Sequence, residues 1–530
     1  MSASPGGTAT GPSVPDDQSQ VIAFLSRPET YGVRHVQCLE THGNLVFLAG
    51  PHAYKIKRAV RFGYMDFSTL EKRRNACLRE VEINQRWAPD LYLGAVPIMR
   101  GTGGLLALGG AGEIVEWAVR MRRFEQDDLL SVRVERGELD RALLIRLAEI
   151  VFESHSKATP VGVASGVSAF RDLVASVSCG FAAAGVFDPD TVSRLADAMQ
   201  RELENSAAII EERAAHGCVR RCHGDLHLAN IVLQNGRPIL YDALEFDEAL
   251  ATIDTLYDLA FLLMDIDVRG QRPAANLVLN RYLHCSGQEL DLRGLAALPL
   301  FLALRAAIRA RVTSDRAAQE TGDSHQRDVA RARHYLAAAL AYATPTKPQL
   351  VVIAGLSGTG KTTLAASLAP LLGNAPGAIH LRTDLERKAM AGVGEFERLP
   401  PTAYTHEARQ RVYRRLHDKA AAILRARHAV ILDAVYSSQD ERSEVEDIAR
   451  TLDVPMHALW LQGEPATLLA RVEARRDDAS DATPDVVRRQ LTTEIGHLSP
   501  QWRTLGVGGS LADTLRAARP LIGLVTDAAS

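Results

Sequence analysis

Between about residues 31 and 120, short apolar runs such as NLVFLAG, HAYKIKRA and GEIVEWAVRM read as strands. One stretch among them, TLEKRRNACLREVEINQRW, has helical spacing instead. From about 138 to 343 the pattern is mostly helical. The exception is RCHGDLHLANIVLQNGRPILYDAL. It reads as a loop, a strand, a turn at Asn235-Gly236 and a second strand, because Asn-Gly suits a two-residue hairpin turn. A strand-rich lobe followed by a helical lobe with one hairpin predicts a bilobal α+β body over residues 21–343. The apolar run from Gly294 to Leu304 contains Pro299 and predicts a buried helix. It is too short for a bilayer span, which takes about 20 residues.

The Ala/Arg-rich helical stretch VARARHYLAAALAYA ends near Ala343. Residues 344–348, Thr-Pro-Thr-Lys-Pro, then form a short linker. Directly after it, LVVIAG is continuous and β-branched, as expected of a strand buried on both faces. It opens a second module over residues 349–530. At the other end, residues 1–20 (MSASPGGTATGPSVPDDQSQ) have neither a basic start nor an apolar stretch. They predict a disordered tail and not a signal peptide. No solenoid-type repeat is present.

Composition narrows the classes without choosing among them. The chain has 530 residues, long enough for several domains. With 46% hydrophobic and 24% charged residues, it resembles an average globular protein. A formal charge of -3 gives no whole-molecule attraction to nucleic acid or to an anionic membrane. Six cysteines without a CxxC pair, Cys218 and Cys222 being nearest, fit reduced thiols and a cytoplasmic location.

The second module carries the most specific chemistry. Gly355-Leu356-Ser357-Gly358-Thr359-Gly360-Lys361-Thr362 satisfies GxxxxGK[ST], between the strand LVVIAG and the helical TTLAASLAPLL. Backbone N–H groups of Gly355, Ser357, Gly358, Thr359, Gly360, Thr362 and Thr363 are candidates to cradle the phosphates of ATP. Lys361 neutralises the β/γ-phosphates, and the Thr362 hydroxyl completes a Mg²⁺ shell. The competing reading is a chance glycine-rich turn, and the flanking strand and helix leave it little room. A strand in AIHLRTDLERKAM ends at Asp384, with Arg387 one helical turn later. Asp384 can accept the proton of an attacking hydroxyl and Arg387 can hold an anionic group of the substrate. Equally, the pair can be a helix cap and a solvated arginine. AVILDAVY ends a further strand at Asp433, where a second acid meets Mg²⁺ or again caps a helix. Arg471, Arg475 and Arg476 follow on helical spacing, as lid arginines over the phosphates or as a charged surface helix.

Together these features resemble the small-molecule P-loop kinases, the gluconate-kinase, chloramphenicol-phosphotransferase and zeta-toxin-like groups, over about residues 349–530. The resemblance implies an α/β P-loop kinase domain.

In the first module the sharpest feature is His223-Gly224-Asp225-Leu226-His227-Leu228-Ala229-Asn230, with Asp242 closing the strand PILYD. Kinase-type phosphoryl transfer needs a carboxylate for the acceptor hydroxyl, an amide on Mg²⁺ and a second carboxylate between metal and phosphates. An ordinary polar hairpin is the bland alternative, and it gives no reason for this spacing. HGDxHxxN resembles the aminoglycoside-phosphotransferase branch of the protein-kinase-like fold. That resemblance implies Asp225 as catalytic base and Asn230 and Asp242 as metal ligands. It also implies that His223 and Asp258, in LYDLAFLLMD, are structural. Ala53-Tyr54-Lys55-Ile56-Lys57 resembles the strand that offers a lysine to the α/β-phosphates. Lys55 and Lys57 share a strand face, and the choice between them stays open. Glu80 matches the glutamate that pairs with this lysine, with Glu82 in reserve. Two departures matter: Ala-Leu-Glu-Phe follows Asp242 where protein kinases have DFG, and no GxGxxG loop precedes Lys55.

The order of modules resembles bacterial proteins described as bifunctional aminoglycoside phosphotransferase/ATP-binding proteins. The expectation is a multidomain ATP- and Mg²⁺-dependent kinase with two modules acting on hydroxyls of small molecules, without nucleic-acid or membrane partners. No motif fixes an oligomeric state. Two alternatives stand beside it. One is a regulatory protein in which one module is a nucleotide sensor. The other is an aminoglycoside-modifying enzyme, to which Glu245, Asp247 and Glu248 would offer an acidic pocket for a cation.

Overall fold

The computed structural model describes residues 17–41, 43–62, 65–161, 166–476 and 478–524. Residues 1–16 of the expected disordered tail lie outside the described residues. Its last residues have defined partners. The Gln18 side chain donates to Lys57 O and Glu116 Oε2, both at 2.8 Å, and a helix begins at Ser19.

The chain packs as two compact units that interleave along the sequence. One comprises Met1–Leu139, Ser154–Val161 and Val219–Asp258; the other comprises Asp140–Glu153, Gly162–Cys218 and Leu259–Ser530. The division into units does not fall at residues 344–348.

The first unit contains strands β1 (Val36–Glu40), β2 (Asn44–Ala49), β3 (His52–Lys57), β4 (Arg61–Phe62), β5 (Met65–Asp66), β6 (Tyr92–Arg100), β7 (Leu106–Leu108) and β8 (Glu113–Arg122). Six of them form an antiparallel sheet in the order β1-β2-β3-β8-β6-β7. Strand alternation decides what each face carries. Leu45, Phe47, Tyr54, Ile56 and Ala118 pack on one face with Val21 and Leu25 of the first helix. Ala53, Val119 and Met121 pack on the other with Cys77 and Val81 of helix Leu70–Asn84. Lys55 and Lys57 share the parity of Ala53, so both point toward that helix. Its start is capped by Thr69, whose hydroxyl accepts from the Lys72 N–H at 3.4 Å. Buried Arg73 on the same helix grips Glu116 of β8, with Nε 2.8 Å from Oε2. β4 and β5 pair with each other as a short antiparallel ribbon, and the unit holds two more. One pairs β9 (Val219–Arg221) with β12 (Thr252–Asp254); the other is the hairpin of β10 (Ile231–Gln234) and β11 (Arg237–Leu240). Asn235 and Gly236 form the hairpin turn with φ of +50° and +73°, which Asn-Gly accommodates without strain.

In the second unit the apolar run is split: Gly294 ends helix Glu289–Gly294, Leu295–Ala297 form a 3-10 turn, and helix Leu298–Ala317 buries Leu298, Leu300, Phe301, Leu302 and Leu304. Among the described residues no helix is long and apolar enough to cross a membrane. The remaining strands are β13 (Leu350–Gly355), β14 (Ile379–Arg382), β15 (Val430–Asp433), β16 (Met456–Gln462) and β17 (Trp502–Gly506). They form a parallel sheet in the order β14-β15-β13-β16-β17. All six residues of β13 are buried, as a central strand covered on both faces requires. Its side chains Val351 and Ile353 join Leu364, Leu368, Ile431 and Leu459 in one core. The sheet therefore presents Gly355, Arg382 and Asp433 at its carboxyl edge, where open α/β sheets bind ligands.

Candidate active sites

In the first unit, β3 and helix Leu70–Asn84 build a buried box of charge. Lys55 Nζ lies 3.0 Å from Glu80 Oε1 and 2.5 Å from Asp242 Oδ1. Lys57 Nζ lies 2.6 Å from Glu80 Oε2 and also pairs with Glu245. One glutamate thus bridges both lysines. Burial works against a charged Lys55, but Asp242 and Glu80 outweigh it and hold the ammonium well above its ordinary range. Burial likewise opposes the ionised Glu80, and the two ammonium groups draw its carboxyl down to about 2. For Glu245 burial prevails and pushes the carboxyl up. Lys55 faces Asp242, while Lys57 is fully buried against Glu245. Glu82 is turned outward and pairs with Arg79 at 2.7 Å.

The hairpin places the remaining candidates. Asn230 Nδ2 donates to Asp225 Oδ2 at 2.9 Å and to Asp225 O at 3.0 Å. The Tyr241 N–H donates to Asn230 O at 3.1 Å, which sets Asn230 beside the strand end that carries Asp242. Asp242 has φ +60°, a left-handed conformation that aspartate tolerates better than most residues. Two bonds hold that turn: Asp242 N–H to the Tyr92 hydroxyl at 3.0 Å, and Ala243 N–H to Asn84 Oδ1 at 2.9 Å. Asp225 and Asp242 keep 41% and 37% of their side chains exposed, so both can meet a ligand. His223 and Asp258 sit behind them. Asp258 accepts from the N–H groups of His223 and Gly224 at 3.1 and 3.0 Å and lies 3.1 Å from His155 Nε2. His223 Nε2 donates to Tyr241 O at 2.9 Å. These bonds fix the backbone of the loop.

The three acids expected to offer a pocket to a cationic acceptor each have partners within the protein. Glu245 is buried on Lys57. Asp247 caps a short helix by accepting from the Ala249 N–H at 2.8 Å. Glu248 bridges Arg79 and Arg221 at 2.6 and 2.9 Å. Sequence position placed three acids together, and the fold gives each of them different partners, with Glu248 still exposed.

In the second unit a cavity of about 900 Å³ runs along the carboxyl edge of the parallel sheet. The glycines at its floor are sterically required. A Cβ at Gly355 would stand 2.6 Å from Leu461 O, and one at Gly358 would stand 2.6 Å from Leu468 O. Thr362 Oγ1 donates to Asp433 Oδ2 at 2.6 Å, so the hydroxyl and the carboxylate already share one locus. Lys361 Nζ donates to Leu356 O at 2.9 Å and, among the described residues, forms no ion pair with a carboxylate. Burial lowers its pKa despite the attraction of Asp433 and Asp384. Burial raises Asp384, and the charge of Asp433 adds to that. Burial would raise Asp433 too, yet His380, Arg382 and Lys361 hold it down to about 2.

Asp384, Arg387, Arg471 and Arg475 all line this cavity with Ser357, Gly358, Gly360, Lys361, Thr362, Thr363 and Asp433. Arg387 Nη1 donates to Ala403 O at 2.9 Å, and its guanidinium stacks 4.8 Å from the Tyr404 ring centroid. Arg475 Nε is 3.5 Å from Asp478 Oδ2, and Arg471 donates to Val507 O at 3.3 Å. Arg476 turns aside onto the carbonyls of Glu473 and Arg475. Sequence reasoning missed Tyr404, Gln490 and His380. Gln490 Oε1 accepts the Ser357 N–H at 2.9 Å, and His380 Nε2 lies 3.4 Å from Asp433 Oδ2. Nothing local marks Gln490, since 133 residues separate it from its partner. His380 was within reach, because alternation along β14 ties it to the strand end.

Residues 350–495 match a family model described as an AAA domain. Over 486 residues the chain is 28% identical to uncharacterized proteins of Mycobacterium tuberculosis and Mycobacterium bovis, covering 88% of this chain and 93% of each relative. Among solved structures, a gluconokinase from Sinorhizobium meliloti 1021 matches 33% of this chain and 91% of its own, with 19% identity and a TM-score of 0.25. The GDP complex of aminoglycoside 2'-phosphotransferase-IIIa matches 60% of this chain and 99% of its own, with 14% identity and a TM-score of 0.38. A choline/ethanolamine kinase family protein from Mesorhizobium loti matches 61% and 98%, with 16% identity and a TM-score of 0.37.

The chain is multidomain. Its N-terminal portion has a protein-kinase-like fold, with an antiparallel sheet, a helix-borne glutamate on a strand lysine and the HGDxHxxN hairpin. Its C-terminal portion is a P-loop kinase fold with β13 at the centre of a parallel sheet.

Proposed function

We propose that this protein is an ATP- and Mg²⁺-dependent phosphotransferase with two kinase sites, each transferring the γ-phosphate of ATP to a hydroxyl of a small molecule. The observation that carries the reading is the Thr362–Asp433 contact at 2.6 Å, at the floor of a cavity that also holds Lys361 and Asp384. Hydroxyl and carboxylate oxygens are hard donors and suit Mg²⁺. Among the described residues Lys361 is tied only to a neutral carbonyl, so a nucleotide phosphate can take it without breaking an ion pair there. Asp384, with its pKa raised by burial, suits a proton acceptor for the attacking hydroxyl. Arg387 carries a positive charge one helical turn beyond it and suits an acceptor bearing an anionic group.

At the first site Asp225 is the base, Asn230 and Asp242 are the metal ligands, and Lys55 is the phosphate lysine. The pairing of Lys55 with Asp242 favours Lys55 over Lys57, because phosphate and metal meet between these two groups. The test is a screen of the purified full chain with ATP-Mg²⁺ against sugars, sugar acids, amino sugars and nucleosides, reading ADP release and product mass. Phosphorylated product that disappears in Lys361→Ala or in Asp225→Asn assigns each acceptor to its site. ADP release unaltered by both substitutions together overturns the reading.

A further inference from the structure

Edge strands expose unpaired backbone groups and must be covered. β14 is such a strand: it pairs on one side only, with β15. On that inner side the Ile379 N–H donates to Ala429 O at 3.0 Å. The backbone groups on either side of Ile379 therefore face outward. Helix Arg272–Ser286, far upstream in sequence, supplies their partners. Asn280 Oδ1 accepts the His380 N–H at 2.7 Å, and Asn280 Nδ2 lies 3.3 Å from Ala378 O. Asn276 Nδ2 donates to the same carbonyl at 3.0 Å. One side-chain amide thus pairs with β14 as the peptide group of a further strand would.

The approach is built into the sequence on both sides. Asn276 and Asn280 are four apart, so they share a helix face. Gly377 has φ +123°, and a Cβ there would stand 2.9 Å from Asn276 Nδ2 and 2.4 Å from Ala369 O. The same helix sends Arg281 Nη1 to Glu395 Oε2 at 2.8 Å, and Arg427 Nη2 reaches Glu202 Oε2 of helix Pro189–Ala215 at 2.8 Å. The residue clamped by Asn280 is His380, whose ring lies 3.4 Å from Asp433. Two residues further, Arg382 Nε lies 3.7 Å from the same carboxylate, and the strand then leads into Thr383 and Asp384.

We propose that Asn276 and Asn280 are positioning residues of the P-loop kinase site. They fix the register and height of β14 and thereby hold His380 and Arg382 against Asp433 and hold Asp384 at the acceptor end of the cavity. The helical lobe that precedes the linker is then a working part of the second kinase. This rests on reading Asp433 and Asp384 as the metal and acceptor carboxylates.

The test uses the full chain and three substitutions: Asn280→Ala, Asn276→Ala and Lys361→Ala. Two quantities are read: amide hydrogen exchange at Ile379 and His380, and the part of ADP release that Lys361→Ala removes. Expected for Asn280→Ala is fast exchange at His380 with Ile379 still protected. The Lys361-dependent kcat falls roughly 10- to 100-fold while KM for ATP changes little, because a small displacement misaligns reacting groups without touching the P-loop. Asn276→Ala leaves the His380 N–H on Asn280, so His380 stays protected, and it removes only one donor from Ala378 O. It gives a smaller drop in the Lys361-dependent kcat and carries that readout should Asn280→Ala not fold. Continued protection of His380 in Asn280→Ala, or a Lys361-dependent kcat unchanged in both asparagine variants, overturns the proposal. Loss of protection at Ile379 as well overturns it too, since the asparagines would then only stabilise the fold. If Lys361→Ala leaves ADP release unaltered, the P-loop reading itself fails, and the positioning role falls with it.

Discussion

The two lysines expected to meet phosphate in this chain sit in opposite surroundings. Lys55 is locked between Glu80 and Asp242, and Lys361 rests on the carbonyl of Leu356. The acids differ in the same way. Asp242 is spent on a lysine, while Asp433 accepts the Thr362 hydroxyl, at the place the proposed function gives to a metal. Burial pushes both lysines toward neutrality, and only Lys55 has carboxylates close enough to reverse it. A phosphate arriving at the P-loop displaces one neutral hydrogen bond. On the proposed reading, a Mg²⁺-nucleotide arriving at the first site would have to separate the Lys55–Asp242 pair before Asp242 could bind metal. The first cluster is a box whose charges neutralise each other, and the second leaves Lys361 on a neutral carbonyl beside the Thr362–Asp433 contact.

The largest expected effect tests whether the box is a unit. Lys57→Met leaves Glu245 and Glu80 buried with one cation fewer. Breaking one partner out of a buried network costs about 3–5 kcal/mol. Chemical denaturation of the full chain reads this as an early transition, and an unchanged transition would mean that the box does not hold the first unit together. Next, Lys361→Ala removes the P-loop cation without breaking an ion pair. The loss is roughly 10²- to 10³-fold in the ADP release of the second site, the usual worth of one preorganised donor, with thermal stability unchanged. A stability loss comparable to that of Lys57→Met would erase the contrast between the sites.

A third pair of variants sharpens the first site alone. Both Asp225→Asn and Asp242→Asn should lower transfer roughly 10²-fold. Only Asp242→Asn should alter nucleotide binding. It removes a metal carboxylate and also releases Lys55, so calorimetric affinity drops for ATP-Mg²⁺ and rises or holds for metal-free ATP. Equal titrations for the two variants would dissolve the division of roles.

The smallest effect is a pH dependence. Glu80 titrates at about 2 in the folded protein against an ordinary 4.5. Its folded pKa is depressed, so its contribution is complete above about 4.5 and is lost as pH falls through about 2. The stability difference between wild type and Glu80→Gln should be flat above pH 5 and shrink on acidification, since a protonated Glu80 resembles glutamine. A difference that stays constant down to pH 2 would show that the lysines do not pull on Glu80.

Much of this arrangement was legible in the sequence because it is local. LVVIAG running on into LSGTGKT has one physical solution, a buried strand turning through glycines into a helix. The parity of Lys55 and Lys57 follows from strand alternation. The hairpin that joins Asn230 to Asp242 follows from one Asn-Gly turn. The ends of β14 and β15 delivered Asp384 and Asp433 for the same reason: a strand's carboxyl end has a fixed place in a parallel sheet. Tertiary structure decided the rest, because pairing is chosen across distance and not along the chain. It turned Glu245, Asp247 and Glu248 from a run of acids into three separate bonds. It gave Glu80 two lysines, where sequence position could not choose between them. It brought Gln490 to Ser357 and Asn280 to His380, since a buried N–H without water must find whatever acceptor the fold brings near.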